Sequence, residues 1–79
     1  MDLKRKEIEL ARERWEKAKK LSGDERVQEI KRVLRLLYPL VADTRGREVL
    51  ETYTALKEKP ETLKEAERLV EEILGELKF

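Results

Sequence analysis

The chain has 79 residues, a length suited to one domain with a modest core. Charged residues make up 47% of it and hydrophobic residues 39%, but the net charge is only +1, whereas a disordered chain pairs a high net charge with few large apolar residues. His and Cys are both absent, which removes disulfide frameworks, thiol nucleophiles, imidazole bases and the usual zinc ligand sets.

A first helix is predicted from about Asp2 to Leu21. Asp2 is placed to accept hydrogen bonds from the free N–H groups of the first turn. Leu3, Ile8, Leu10, Ala11, Trp15, Ala18 and Leu21 fall within roughly 160° of a helical wheel, and Lys, Arg and Glu fill the rest. Trp15 on that face reads as a core anchor. Glu13 with Lys17, and Glu16 with Lys20, stand in the favourable i,i+4 order. Ser22-Gly23-Asp24-Glu25 then reads as a stop followed by a start. Gly23 suits the left-handed residue that ends a helix. Ser22 or Asp24 can cap the next one, and Ser22 and Glu25 have the spacing of a capping box. So short a connection returns the second helix antiparallel to the first.

The second helix starts near Asp24. Val27, Ile30, Val33, Leu34, Leu36, Leu37, Tyr38, Leu40 and Val41 fill an arc roughly 200° wide, more than one neighbouring helix can cover. The apolar phase continues across Pro39, which predicts a helix kinked there and reaching about Ala42. The alternative is a helix that stops at Leu37 or Tyr38, with Leu40 and Val41 plugging one end of the bundle from a loop. Val33, Leu36 and Leu37 have the spacing of Leu-rich helices that dock into grooves, although core packing accounts for it. Leu36 and Tyr38 mark the two edges of the arc and are candidates for partial exposure.

Asp43 and Thr44 can both cap, so a third helix is predicted from about Thr44 to Glu58. Val49, Leu50, Tyr53 and Leu56 form its apolar stripe, and Gly46 on the same side allows close packing. Thr52 and Thr54 are poor helix formers. Lys59-Pro60-Glu61 makes the last break, with Pro60 at a first helical position. The fourth helix runs to about Lys78 with Leu63, Ala66, Leu69, Val70, Ile73, Leu74 and Leu77 on one stripe and Gly75 outside it.

Residues 1–21 carry eight basic and five acidic side chains, a net +3, and residues 61–79 carry three basic and six acidic, a net −3. Opposite fields favour the first helix packing beside the fourth. The fold expected is all-α: a single domain over residues 1–79, built as a compact antiparallel bundle of four short helices. The alternative is a three-helix bundle in which residues 24–58 form one bent arm.

Little in the chain suggests catalysis. Ser22 is the only serine and sits in a turn signal, and the three glycines are too far apart for a phosphate loop. Glu65, Glu72 and Glu76 could in principle hold a hard cation, but a solvated acidic face accounts for them. The basic residues of the first helix scatter among glutamates rather than forming a nucleic-acid patch. No apolar run approaches the ~20 residues of a membrane span, and no apolar segment of signal-peptide type follows Met1. The expectation is a soluble protein with no enzyme activity, cofactor, metal, small-molecule substrate, nucleic acid or membrane among its functions.

The segments Ser-Gly-Asp-Glu-Arg-Val-Gln-Glu-Ile at 22–30 and Lys-Pro-Glu-Thr-Leu-Lys-Glu-Ala-Glu-Arg-Leu-Val-Glu-Glu-Ile-Leu at 59–74 resemble the helix starts of computationally designed helical bundles. Helices begin with caps, loops are minimal, surfaces are Lys, Glu and Arg, and Cys, His and Asn are absent. The resemblance is to a class and brings no functional residue with it. Pro39, Gly46, Thr52, Thr54 and Gly75 depart from idealised choices, as happens where a surface must match a partner. A natural hyperthermophile protein would share the charged, thermolabile-poor composition. Two functions follow. One is a protein-interaction module that uses the second helix, the third or both to bind a protein partner or a second copy. Its candidate contact residues are Leu36, Tyr38 and Tyr53. The other is a scaffold whose only task is to fold.

Overall fold

The computed structural model describes residues 3–77. Four α-helices follow in order: α1 (Leu3–Lys19), α2 (Gly23–Val41), α3 (Gly46–Glu58) and α4 (Leu63–Glu76), with a 3₁₀ turn at Pro60–Thr62 leading into α4. The predicted four-helix bundle is therefore the observed one. The bent-arm alternative fails at residues 42–45, a turn that separates α2 from α3. The Cα radius of gyration is 11.8 Å, against roughly 12 Å for a folded domain of this size, so the helices form one body.

α2 is the central element: it packs against α1, α3 and α4. Its wide apolar arc is thus explained. Ile30, Val33, Leu34 and Leu37 are fully buried, Val41 nearly so, and Val27, Leu36 and Leu40 pack against that core from its edge. The helix passes through Pro39 and ends at Val41, so Leu40 and Val41 are helical residues rather than a loop plug. From α1 the core takes Ala11, Trp15 and Ala18, and the two alanines, 0% exposed, let that helix approach α2 closely. Trp15 is buried, as expected, with the Lys19 ammonium 5.5 Å from its ring centroid. Val49 and Leu56 come from α3, and Ala66, Leu69, Val70, Ile73 and Leu74 from α4.

The corners differ from expectation in their chemistry. Gly23 does adopt a left-handed φ of +61°, but Ser22 makes no side-chain cap bond, so the predicted capping box is not formed. Asp43 and Thr44 do not open the third helix. The chain leaves α2 still in right-handed helical conformation at Ala42. The N–H groups of Thr44 and Arg45 donate back to the Val41 carbonyl at 3.1 and 2.7 Å. These residues finish α2 instead. Arg45 is the cap residue of α3, its carbonyl accepting from Val49 N–H at 3.0 Å. At the last corner the Thr62 N–H and hydroxyl both donate to the Lys59 carbonyl, at 3.0 and 2.9 Å.

The charge argument for helix order needs correction. α1 lies mainly along α2, and its contact with α4 is small. That contact is nevertheless electrostatic: the Arg12 guanidinium donates to the carbonyls of Leu74 and Leu77 at 2.7 and 2.9 Å, closing the negative C-terminal end of α4. The pairs Glu13–Lys17 and Glu16–Lys20 do not form; Arg5–Glu9 and Glu16–Lys19 do. Asp2, the side chain of Leu3 and the predicted helix end at Lys78 lie outside the described residues.

Candidate functional site

Buried positions on α3 follow the row Gly46, Val49 and Leu56, with Tyr53 half-buried beside them. Leu50 is one step of about 100° past Val49, and it is turned out of the core at 51% exposure. The expectation that Leu50 belongs to the core stripe is therefore wrong. The same holds for Leu10 on α1: Ile8, Ala11, Trp15 and Ala18 make a complete row without it, and it is 42% exposed. In both helices the signal was available, since a row at steps of three and four was already closed without the extra leucine.

Across from Leu50, on α2, Tyr38 stands at 36% exposure. Its ring lies over the start of α3, where Gly46 makes room. A Cβ at Gly46 would meet Tyr38 Cε2 at 3.3 Å and the Ala42 Cβ at 3.8 Å. The close approach expected at Gly46 is thus real, and its partner is the tyrosine ring. Between the two helices runs an open groove of about 480 Å³, lined by Leu34, Arg35, Tyr38, Val49, Leu50 and Tyr53. Leu34 and Val49 are its buried floor, and the two tyrosines and Leu50 its walls.

Of the three candidate contact residues, Tyr38 and Tyr53 meet in this groove and Leu36 does not. Leu36 is half-buried against the core on the other flank of α2, beside Arg14, Arg32 and Arg35. Leu50 is the residue that sequence reasoning placed in the wrong environment.

The acidic side of the molecule is organised by arginine. Arg45 grips Glu76 with Nε and Nη2 at 3.0 and 2.7 Å, and its Nη1 reaches Glu72 at 3.2 Å and Glu48 at 3.4 Å. The hydrogen bond to Glu76, with the negative field of Glu76, Glu48 and Glu72, holds the Arg45 guanidinium above its ordinary pKa. Two of the three glutamates singled out as a conceivable cation site therefore already face a guanidinium. Glu65 lines a polar groove with Glu48, Glu51, Arg68 and Glu72, away from Glu76. Among the described residues, no group of three or more His, Cys, Asp or Glu is arranged to hold a metal ion. No helix among them is long and apolar enough to cross a membrane.

One buried charge was not foreseen. Glu29 is 4% exposed. It accepts from Arg14 at 3.1 Å and from Arg32 at 3.4 Å. A second cross-helix pair, Arg26 with Glu67, ties α2 to α4. Among the described residues, every buried side-chain nitrogen and oxygen has a partner.

No protein family matches the chain, and no curated protein or solved structure matches it.

Proposed function

We propose that the protein is a non-catalytic interaction module of the designed-bundle type, and that the groove between α2 and α3 is its binding surface. The observation that supports this is local. Tyr38 and Leu50, two of the three large apolar side chains at or above 36% exposure among the described residues, stand on opposite walls of one groove. Scattered exposed leucines are ordinary on any surface, whereas convergent aromatic and aliphatic side chains over an apolar floor are the usual anatomy of a binding hot spot. The groove's volume of about 480 Å³ lies within the ~300–1,000 Å³ range of ligand-sized clefts. The competing reading is a scaffold that only folds, a role that the complete pairing of buried polar side-chain atoms would suit.

Selection of displayed helical peptides on the intact protein, after depletion on Leu50→Asp, separates the two. An interaction module yields peptides that bind the parent chain and lose binding with Leu50→Asp or Tyr38→Ala. A scaffold yields none that depend on Leu50, and the same substitutions change only its melting behaviour.

A further inference from the structure

The charges around the groove narrow what can occupy it, on the premise that the groove is a binding surface. Arg35 is its one charged lining residue, and Arg35 takes part in no hydrogen bond or ion pair among the described residues. It stands on the outer crest of α2 and also lines the neighbouring groove with Arg14, Arg32 and Leu36. There the buried Glu29 is, among the described residues, the one carboxylate paired with Arg14 and Arg32, so three guanidinium groups stand around a single paired negative charge. Helical steps bring further cations to the rim. Lys31 precedes Arg35 by one turn on α2, Arg47 precedes Leu50 by about one turn on α3, and Lys57 follows Tyr53 by one turn. These three are likewise without ion pairs among the described residues. Two of the three acids of α3 face away from the groove: Glu48 and Glu51 line the polar groove that α3 shares with α4, and Glu48 is held by Arg45. The third, Glu58, ends the helix on the side of Arg47 and offsets one of these cations.

An apolar floor with a rim of net positive charge specifies a complementary ligand. We propose that the α2–α3 groove docks an amphipathic helical segment of a protein partner. Its apolar residues seat between Tyr38, Leu50 and Tyr53, and its flanking Asp or Glu side chains pair with Arg35 and Arg47. A second copy of this chain is a poor occupant. A two-fold dimer through this face would set the basic rim against itself, and like charges across an interface oppose association.

The peptide selection described above also tests this. Peptides that depend on Leu50 are expected to carry net negative flanks. A synthetic peptide of the selected sequence should bind Arg35→Glu/Arg47→Glu about tenfold or more weakly at low salt. Replacing its flanking glutamates by lysines should restore binding to that variant. Both arginines are on the surface, and circular dichroism melts check whether the variant is folded, with Arg35→Gln/Arg47→Gln as the milder pair. Leu50-dependent peptides with neutral or basic flanks, or affinity indifferent to both arginine pairs, would overturn the charge assignment and leave the groove reading standing. Failure to recover any Leu50-dependent peptide would remove the groove reading and this inference together. A concentration-dependent dimer abolished by Leu50→Asp would assign the groove to a second copy and overturn the proposal.

Discussion

Glu29 shows how a single residue can sit in the core row and still be charged. Glu29, Val33, Leu37 and Val41 stand at successive steps of four along α2, and all four are buried. The row is legible in the sequence from Val33 onward; its first member is not, because a carboxylate does not read as core. The two arginines that hold it are much more exposed than it is, with side-chain exposures of 37% for Arg14 and 63% for Arg32. Removing the two sides of this cluster should therefore have unequal effects. Glu29→Leu frees two arginines that water can solvate, and it places an apolar group at the head of an apolar row. Its stability should change by less than ~1 kcal/mol, or rise. Arg14→Met with Arg32→Met leaves a buried carboxylate without a partner and should cost about 3 kcal/mol. Urea unfolding of the two variants measures the difference, and the reverse order would mean that the pair itself, rather than the desolvation of Glu29, sets the energy. Glycine gives a second contrast. Gly75 faces open space within α4, so Gly75→Ala should stabilise by about 0.5–1 kcal/mol through the helix preference alone. Gly46→Ala should gain less, because its new Cβ meets the Tyr38 ring at 3.3 Å and that ring must shift. Equal gains at both sites in thermal unfolding would show that the tyrosine does not rest on Gly46.

At the scale of elements, the rows of apolar residues were legible and the helix ends were less so. Steps of three and four place the cores of α2 and α4 almost without error, because a buried stripe has one period and few ways to satisfy it. Helix ends are set by local hydrogen bonds that compete at short range. Asp43 and Thr44 carry capping side chains, but the last turn of α2 takes the Thr44 and Arg45 N–H groups first, and α3 begins two residues later than the pattern suggests. Pro39 was ambiguous for a similar reason. It removes one donor, but it does so in the last turn of α2, where the chain leaves the helix two residues later, and the buried row through Leu37 and Val41 holds the phase. Long-range caps were invisible in sequence. Arg12 is 62 positions from Leu74, and nothing in helical periodicity links them. Its two bonds to the closing carbonyls of α4 make it the docking point between α1 and α4. Arg12→Met should destabilise the chain by about 1 kcal/mol, and it should act first on the end of α4. Amide exchange read residue by residue checks this: the amides near Ile73 to Leu77 should exchange faster than those of α2 in the variant. A uniform acceleration across all helices would place the role of Arg12 in global packing instead.

At the scale of the whole molecule, the bundle separates its charges by side while keeping a net charge of +1. The acidic flank of α3 and α4 is gathered by Arg45 around Glu48, Glu72 and Glu76. The outer face of α2 keeps Arg35 without an ion pair among the described residues, beside an apolar groove. The groove was only half legible from the sequence. Tyr38 could be placed at the edge of a broad arc, but the wall opposite it depends on how α3 is rotated, and that rotation is a matter of tertiary packing, with Gly46, Val49 and Leu56 turned inward. A second copy is one of the two partners that the surplus width of α2 allows, and the arrangement argues against it. The arc is filled by three neighbouring helices, and what remains outside is Tyr38 with Leu50 and Tyr53 across the groove. Stable interfaces bury roughly 1,200–2,000 Å² in all, far more than three side chains can supply, and a two-fold pairing would bring Arg35 toward its own copy. The chain is therefore expected to remain monomeric from ~10 μM to ~1 mM in light scattering at low salt. Salt provides the sharper test. Screening shortens the reach of the rim charges to ~3 Å near 1 M ionic strength. If repulsion alone held two grooves apart, dimers would appear there and vanish with Leu50→Asp. A mass that stays monomeric at high salt shows that the exposed apolar area is too small to drive pairing by itself.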